Sequence, residues 1–167
     1  MKVINLFAGP GVGKSTAAAG LFHLMKLQGK NVELVSEYAK DMVWENRHNI
    51  LTDQLYMFAK QRRRIARLED SVDFVATDSP LLLFLVYASK EYPPSWTQLV
   101  LDLWNGYENL NFRLQRVKPY AQVGRTQNED EARQIDDLVR KVLDANAVRY
   151  TSLSGDADAP RKILESL

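Results

Sequence analysis

The fold is decided close to the N-terminus by the stretch AGPGVGKST at residues 8–16, which continues the apolar run KVINLFA at residues 2–8. An apolar strand, a glycine-rich turn and a helix opened by Gly-Lys-Ser form the pattern of a phosphate-binding loop. The glycines let backbone N–H groups converge on phosphate oxygens, and the helix turns the positive end of its dipole toward them. Alanine at position 8 is a tolerated variant of the usual glycine. The competing interpretation is a strand-to-helix turn that binds nothing.

The residues of the loop have expected roles toward a nucleotide. Lys14 would reach the β- and γ-phosphates, and the Ser15 hydroxyl would complete the shell of a bound Mg²⁺. We therefore predict ATP and Mg²⁺ as the cofactors. The predicted nucleotide-binding residues of the loop are Gly9, Pro10, Gly11, Val12, Gly13, Lys14, Ser15 and Thr16.

Turn residues divide the rest of the chain into alternating strands and helices. Further strands are predicted at 31–36, 73–77, 110–117 and 148–153. Helices are predicted at 14–28, 38–47, 52–71, 81–91, 95–107, 129–146 and 158–167. In the helix at 52–71, the spacing places Leu55, Phe58, Ile65 and Leu68 inward. Because strands separated by helices need crossover connections, we predict a parallel sheet covered on both faces, in one three-layer α/β domain over residues 1–167.

Composition narrows the class of protein. Hydrophobic residues at 46% and charged residues at 26% are average values, which exclude disordered and collagen-like chains. The longest apolar run, residues 81–88, has eight residues, whereas a membrane span needs about 20. No secretory signal precedes the loop, so we expect a cytoplasmic location. With no cysteine and two histidines, zinc sites built on those residues are excluded, and a net charge of +1 disfavours a protein that coats DNA with its whole surface.

Two carboxylates follow predicted strands, at the sheet edge where ligands bind in open α/β folds. Asp78 follows the strand at 73–77, and we predict that it holds Mg²⁺ directly or through water. It could also cap the helix that follows, which is compatible with the metal role. Glu37 ends the strand at 31–36, and we predict that it accepts or orients the proton of an acceptor hydroxyl. The alternative for Glu37 is a carboxylate that only stabilises the start of the next helix.

Four segments, taken together, resemble the P-loop kinase group that includes nicotinamide riboside kinases and thymidylate-kinase-like enzymes. They are AGPGVGKST, SEYAKD, FVATDSP and the stretch from RVKPYAQVGR to SLSGDADAPR. The resemblance implies a P-loop kinase fold with the strand order 2-3-1-4-5 and a lid at about residues 117–128. Val123 stands where the riboside kinases usually have an aspartate.

The same resemblance implies roles for residues near the C-terminus. Arg116 and Arg125 are expected to be catalytic arginines of the lid, with Arg133 as a further candidate, because charge develops on the departing phosphate oxygen. Gly155 and Asp156 are expected to lie along the adenine ring. The competing interpretations are solvated arginines and an ordinary strand-to-helix turn.

The acceptor side has a basic and an aromatic component. Residues 60–67 carry five basic residues in eight, and Arg63, Arg64 and Arg67 could contact a nucleotide phosphate or a DNA backbone, although most charge runs are solvated faces. Several aromatic residues lie in segments that could either flank an acceptor or form part of the core. They are Tyr38, Trp44, Tyr56, Phe58, Trp96 and Trp104.

The phrases EYAKDMVWE, QLYMFAKQRRR and TDSPLLL also resemble small bacteriophage-encoded kinases, among them the 5-hydroxymethyluracil DNA kinases. That resemblance implies an ATP-dependent transfer to the hydroxymethyl group of this base in phage DNA, in the host cytoplasm. The near-neutral charge fits a small nucleoside acceptor slightly better. The alternatives are a P-loop NTPase that acts as motor or switch without an acceptor, and a nucleotide-binding module without turnover.

Overall fold

A computed structural model describes residues 1–88, 92–120 and 128–167. Its sheet contains five parallel strands, which are β1 (Lys2–Phe7), β2 (Val32–Val35), β3 (Phe74–Thr77), β4 (Glu108–Gln115) and β5 (Thr151–Ser154). They pair in the order β2-β3-β1-β4-β5, which confirms the α/β class and the predicted strand order. The carboxyl ends of β1 and β3 therefore lie side by side, and this adjacency brings the two segments that follow them together.

Helices connect the strands. They are α1 (Lys14–Leu27), α2 (Tyr38–Trp44), α3 (Gln54–Ala66), α4 (Leu83–Tyr87), α5 (Pro94–Asn105), α6 (Glu129–Ala145) and α7 (Ala159–Glu165), with a 3-10 turn at His48–Thr52. In the described part of the chain, none of the helices combines the length and apolar character that crossing a membrane requires.

Several predicted boundaries were wrong. The helix expected at 52–71 begins only at Gln54, after the 3-10 turn, and ends at Ala66. Leu55 is exposed because it lies to one side of the buried stripe of α3, whereas Phe58 and Ile65 are buried in that stripe as predicted. The helix expected at 81–91 is observed only at Leu83–Tyr87, and residues 89–91 of that prediction lie outside the described residues. The last strand begins three residues later than predicted, at Thr151.

The central strand β1 supplies both cores because its side chains alternate between the faces of the sheet. Ile4 and Leu6 pack with α1 and α7 on one face, and Val3 and Phe7 pack with α3 to α6 on the other. Asn5 lies on the same face as Val3 and Phe7 and is buried. Its Nδ2 donates to the Oδ1 atoms of Asn109 and Asn111 at 2.9 and 3.0 Å. These side-chain bonds fix the register of β1 against β4.

The start of α6 is fixed by a capping box. The Oδ1 atom of Asn128 accepts from the Glu131 N–H at 2.9 Å, and the Glu131 carboxylate accepts from the Asn128 N–H at 2.7 Å. Three acidic residues in the first turn also complement the helix dipole. Both features hold α6 in register, so that its buried face meets the phosphate-binding loop.

Candidate functional site

The loop between β1 and α1 adopts the backbone that its glycines permit. Gly11 has φ +79° and Gly13 has φ +115°, a left-handed region that residues with a Cβ adopt at a cost. Gly13 is the N-cap of α1, so the first free N–H groups of that helix follow directly. Ser15 and Thr16 are exposed at this end of α1 and border the cavity described below. The loop is thus shaped to present N–H groups to an anion, as the sequence predicted.

The ammonium of Lys14 lies inside the loop. Its Nζ donates to the carbonyl oxygens of Ala8 at 2.8 Å and Gly9 at 3.0 Å. Desolvation lowers the pKa of Lys14 from its usual 10.5, while the nearby carboxylates of Glu37 and Asp78 oppose that shift. Glu37 and Asp78 are therefore both close to the Lys14 ammonium, as the sequence analysis expected.

Asp78 directly follows β3 and is 3% exposed. Within residues 1–88, 92–120 and 128–167, its buried Oδ1 atom has no hydrogen-bond partner. A buried carboxylate oxygen without a donor is costly unless a cation or a water molecule satisfies it. With the Ser15 hydroxyl at the start of α1, Asp78 would supply the hard oxygen ligands that suit Mg²⁺ beside a triphosphate. Ser15 and Asp78 therefore fit a bound Mg²⁺ ion.

Glu37 lies at the N-cap position of α2 and borders the cavity. In the described part of the chain, its side chain makes no capping hydrogen bond to α2. Its backbone is held by the buried Gln61 of α3. The Oε1 atom of Gln61 accepts from the Tyr38 N–H at 2.9 Å, and its Nε2 donates to the Ser36 carbonyl at 3.3 Å. Gln61 therefore braces Glu37 from both sides.

The base of the loop is held by an ion pair that the sequence analysis did not identify. Asp136 of α6 accepts from the Gly9 N–H at 2.7 Å through Oδ1 and from Nε of Arg116 at 2.8 Å through Oδ2. Nη2 of Arg116 donates to the Pro10 carbonyl at 2.8 Å. We call Gly9, Pro10, Arg116 and Asp136 the loop clasp. It joins the end of β4 and the middle of α6 to the loop.

Arg116 is thus placed differently from a mobile lid residue. Its side chain is only 7% exposed and belongs to the clasp. The Nη1 atom is buried and has no hydrogen-bond partner within the described residues. A Cβ placed on Gly11 would lie 3.3 Å from this atom, so Nη1 lies against the loop. An anion on the loop is a suitable acceptor for this N–H.

Two residues that follow β4, Lys118 and Tyr120, lie close to the loop. A Cβ on Gly11 would lie 2.7 Å from the ring of Tyr120, and one on Gly13 would lie 4.0 Å from Nζ of Lys118. Neither Lys118 nor Tyr120 was singled out from the sequence. The predicted lid arginine Arg125 lies outside the described residues. Arg133 pairs with Glu129 on the exposed side of α6, in agreement with the solvated alternative.

The predicted adenine loop packs tightly beside the phosphate-binding loop. A Cβ on Gly155 would lie 2.8 Å from the Val12 carbonyl oxygen and 2.9 Å from that of Gln115. The Asp156 carboxylate accepts from the Asp158 N–H at 3.0 Å and lies 3.6 Å from the Lys162 ammonium. Gly155 therefore supports the loop through Val12, and Asp156 orders the entry to α7.

A cavity of about 380 Å³ adjoins the loop. At one end it is lined by the loop, by Lys14 and by Glu37. Away from the loop, its walls are formed mainly by apolar residues of α2, α4 and the region around the start of α3. These residues are Ala39, Val43, Trp44, Leu51, Met57, Leu83, Phe84 and Tyr87. Protein pockets for small molecules have about this size, roughly 300–1,000 Å³.

The basic residues of α3 do not form one free stripe. Arg64 pairs with Asp41, donates to the Ser36 carbonyl at 3.2 Å and stacks on the Tyr38 ring at 5.0 Å. Arg63 and Arg67 are exposed. Arg64 is therefore committed to holding α2 against α3.

The family model for the AAA domain matches residues 3–159. The chain belongs to the AAA domain family. This match includes the phosphate-binding loop, Glu37, Asp78 and the clasp residues, and it places the chain among P-loop nucleotide-binding folds. A comparison with curated proteins finds no match.

Among solved structures, this AAA domain is similar to NadR protein in complex with NR, with a TM-score of 0.71 and 17% sequence identity. The match covers 98% of this chain and 51% of that chain, so the AAA domain spans about half the length of NadR. At this identity the similarity shows the fold, and the shared fold is the P-loop kinase fold that the sequence predicted.

Proposed function

We propose that this AAA domain is an ATP- and Mg²⁺-dependent kinase that transfers the γ-phosphoryl group to a hydroxyl of a nucleoside-type acceptor. The observation that carries the proposal is a single cavity with the phosphate-binding loop at one end, Glu37 beside it and an apolar space beyond. A protein that only hydrolyses a nucleotide has no need for an apolar space next to the phosphates. The NadR-like fold supports the proposal at the level of architecture.

In the proposed reaction, the acceptor oxygen forms a bond to the γ-phosphorus while the bond to the β–γ bridging oxygen breaks. Glu37 accepts or orients the proton of the acceptor hydroxyl. Lys14 neutralises charge on the β- and γ-phosphates, and Nη1 of Arg116 donates to a phosphate oxygen. Ser15 and Asp78 would hold Mg²⁺, which neutralises phosphate charge when bound. Arg125 remains a predicted second arginine.

For the acceptor itself, the resemblance of the sequence to phage-encoded enzymes favours 5-hydroxymethyluracil in DNA. Its primary hydroxyl suits a carboxylate such as Glu37. The exposed Arg63 on α3 and Arg67 directly after it would lie outside the cavity, where a DNA backbone could contact them.

A second candidate function is supported by the family match. AAA domains form a class of P-loop proteins, and ATP hydrolysis without an acceptor, in a motor or switch, would use the same Lys14 and Asp78. This candidate assigns no role to the apolar half of the cavity.

Incubation with γ-labelled ATP and separate acceptor pools tests both candidates. The pools are free nucleosides, nucleoside monophosphates, nicotinamide riboside, and DNA with or without 5-hydroxymethyluracil. Label in one pool supports the kinase and identifies the acceptor class. If inorganic phosphate is released at the same rate with and without an acceptor, and no pool is labelled, the result contradicts the kinase and supports the NTPase.

Two substitutions test the assigned residues. Lys14→Ala should abolish transfer without loss of folding, whereas Lys26→Ala, near the exposed end of the same helix, should not. Glu37→Gln should lower kcat far more than it raises the KM for ATP, with the exposed Glu45→Gln as control. Equal loss of kcat and ATP affinity in Glu37→Gln would remove the proton-handling role of Glu37.

A further inference from the structure

Trp44 is a large aromatic side chain that is mostly exposed in the described part of the chain. It lies at the C-terminal end of α2, borders the cavity and is 62% exposed. The other two tryptophans, Trp96 and Trp104, are buried. An exposed indole at the mouth of a pocket leaves apolar area in water that a ligand can cover.

The cavity beyond Glu37 is a slot between two short helices. Lys40 and Trp44 of α2 are four residues apart and therefore lie on one side of that helix. Leu83 and Tyr87 of α4 have the same spacing, and they line the cavity with Phe84. Side chains from both helices therefore contribute to the walls of one slot.

The wall on α4 is rigid. The Phe84 ring meets Phe58 edge to face at 5.5 Å, and Phe58 meets Trp96 edge to face at 5.3 Å. Such pairs lock ring orientation in the core. Trp44 has no comparable ring contact among the described residues. The slot therefore combines a preformed apolar wall with an indole that is free to stack.

The slot has few polar groups, and this chemistry favours an uncharged ring as its ligand. Gln54 borders it and uses one amide N–H to donate to the Leu51 carbonyl at 2.7 Å. Among the described residues, the cavity lining contains no arginine, and its cations are Lys14 at the loop and the exposed Lys40 at the rim. A phosphate inserted into the apolar half would be desolvated without a partner, which is costly.

We propose that Trp44 stacks on a neutral heteroaromatic ring of the phosphoryl acceptor, which enters the slot between α2 and α4, with Lys40 facing the part that stays outside. This inference rests on the proposed function and specifies its acceptor as a base-like ring. The ring could belong to a free nucleoside or to a base in a nucleic-acid strand.

The test measures binding without ATP, so that it does not depend on phosphoryl transfer. Thymidine, 5-hydroxymethyl-2′-deoxyuridine and a single-stranded oligonucleotide carrying that base are added to the full chain, with ribose as a control. Tryptophan fluorescence and calorimetry are recorded for the wild type, Trp44→Phe, Trp44→Ala and Leu27→Ala. Leu27 is exposed at the far end of α1 and does not line the cavity.

We expect saturable quenching in the wild type and Leu27→Ala, and none in Trp44→Phe. Calorimetry should show that Trp44→Phe keeps most of the affinity, while Trp44→Ala loses it roughly 5- to 150-fold, the range for one base stacked on an aromatic side chain. Binding of a nucleoside identifies the free source, and binding of the oligonucleotide alone identifies the strand; either supports the stacking site.

Three results would overturn the inference: no binding of any base to the wild type, wild-type affinity in Trp44→Ala, or quenching that persists in Trp44→Phe. The proposed kinase is tested separately. If bases bind at Trp44 but no acceptor is phosphorylated, the kinase is contradicted, and with it the role of the bound ring as phosphoryl acceptor, while Trp44 remains a ring-binding site. If Trp44→Ala keeps the wild-type transfer rate and the wild-type KM for the acceptor, the stacking role is overturned and the kinase is unaffected.

Discussion

Replacement of Asp136 by asparagine is the sharpest test of the loop clasp. The substitution preserves shape and leaves an oxygen for the Gly9 N–H, but it removes the charge that pairs with Arg116. The amide N–H₂ group then faces the Nε–H of Arg116, so that two donors meet. The guanidinium, 7% exposed, keeps its charge and loses its counter-ion.

The size of the effect follows from burial. Breaking a buried ion pair by removing one partner costs about 3–5 kcal/mol, and the lower end applies because the Asp136 side chain is 20% exposed. For a domain of this length, 1 kcal/mol shifts the melting temperature by about 2–4 °C, so a loss of about 3 kcal/mol lowers it by roughly 6–12 °C. The KM for ATP should rise as well, because Gly9 and Pro10 lose their fixed positions.

Thermal unfolding followed by circular dichroism provides the measurement, with Asp137→Asn as the matched control. Asp137 is the next residue on α6, is 67% exposed and lies 3.7 Å from Arg140, so its replacement should change stability by less than about 0.5 kcal/mol. A double-mutant cycle with Arg116→Gln should give a coupling energy of about 2 kcal/mol. If the two changes are additive within about 0.5 kcal/mol, the clasp does not act as a unit.

Three further outcomes are expected. Gln61→Leu leaves the Tyr38 N–H without its acceptor, which should lower the free energy of unfolding by about 1–3 kcal/mol. It should also lower kcat with little change in the KM for ATP. An unchanged kcat would show that Gln61 does not position the Glu37 carboxylate. Gly155→Ala should raise the KM for ATP because its Cβ would lie 2.8 Å from the loop backbone, whereas Gly106→Ala, with its nearest atom at 3.5 Å, should behave as wild type. Burial lowers the pKa of Lys14, so protonated Lys14 lowers the stability of the folded protein at low pH, and this loss diminishes as the pH rises through the folded pKa. Because the charged ammonium binds the phosphates, kcat/KM for ATP should decline at alkaline pH with a midpoint below 10.5. A midpoint at or above 10.5 would contradict the assignment of Lys14.

The loop was predictable because its chemistry is contained in nine consecutive residues. The strand order came from the resemblance to P-loop kinases, and the structure confirms it. Glu37 and Asp78 could be placed near Lys14 because parallel strands bring their carboxyl ends to one edge of the sheet. The helix ends were less accurate, because a 3-10 turn before α3 changes where that helix begins.

Gln61 and Asp136 were missed because their partners are distant in the chain. Both are polar residues within otherwise buried helical stripes. Gln61 lies between Phe58 and Ile65 in α3, and Asp136 lies on the stripe of α6 that contains Ala132, Val139 and Leu143. A polar side chain at such a position must find a partner in the folded protein. That pattern could have marked both residues, although it could not have named what they bind.

The clasp also has a consequence for biosynthesis. Gly9 is made early, whereas its acceptor Asp136 follows 127 positions later. A nascent polypeptide that has emerged only as far as β4 therefore contains every residue of the AGPGVGKST motif but lacks the contact that fixes its base. Nucleotide affinity should then appear late during vectorial translation, once α6 has left the ribosome and docked.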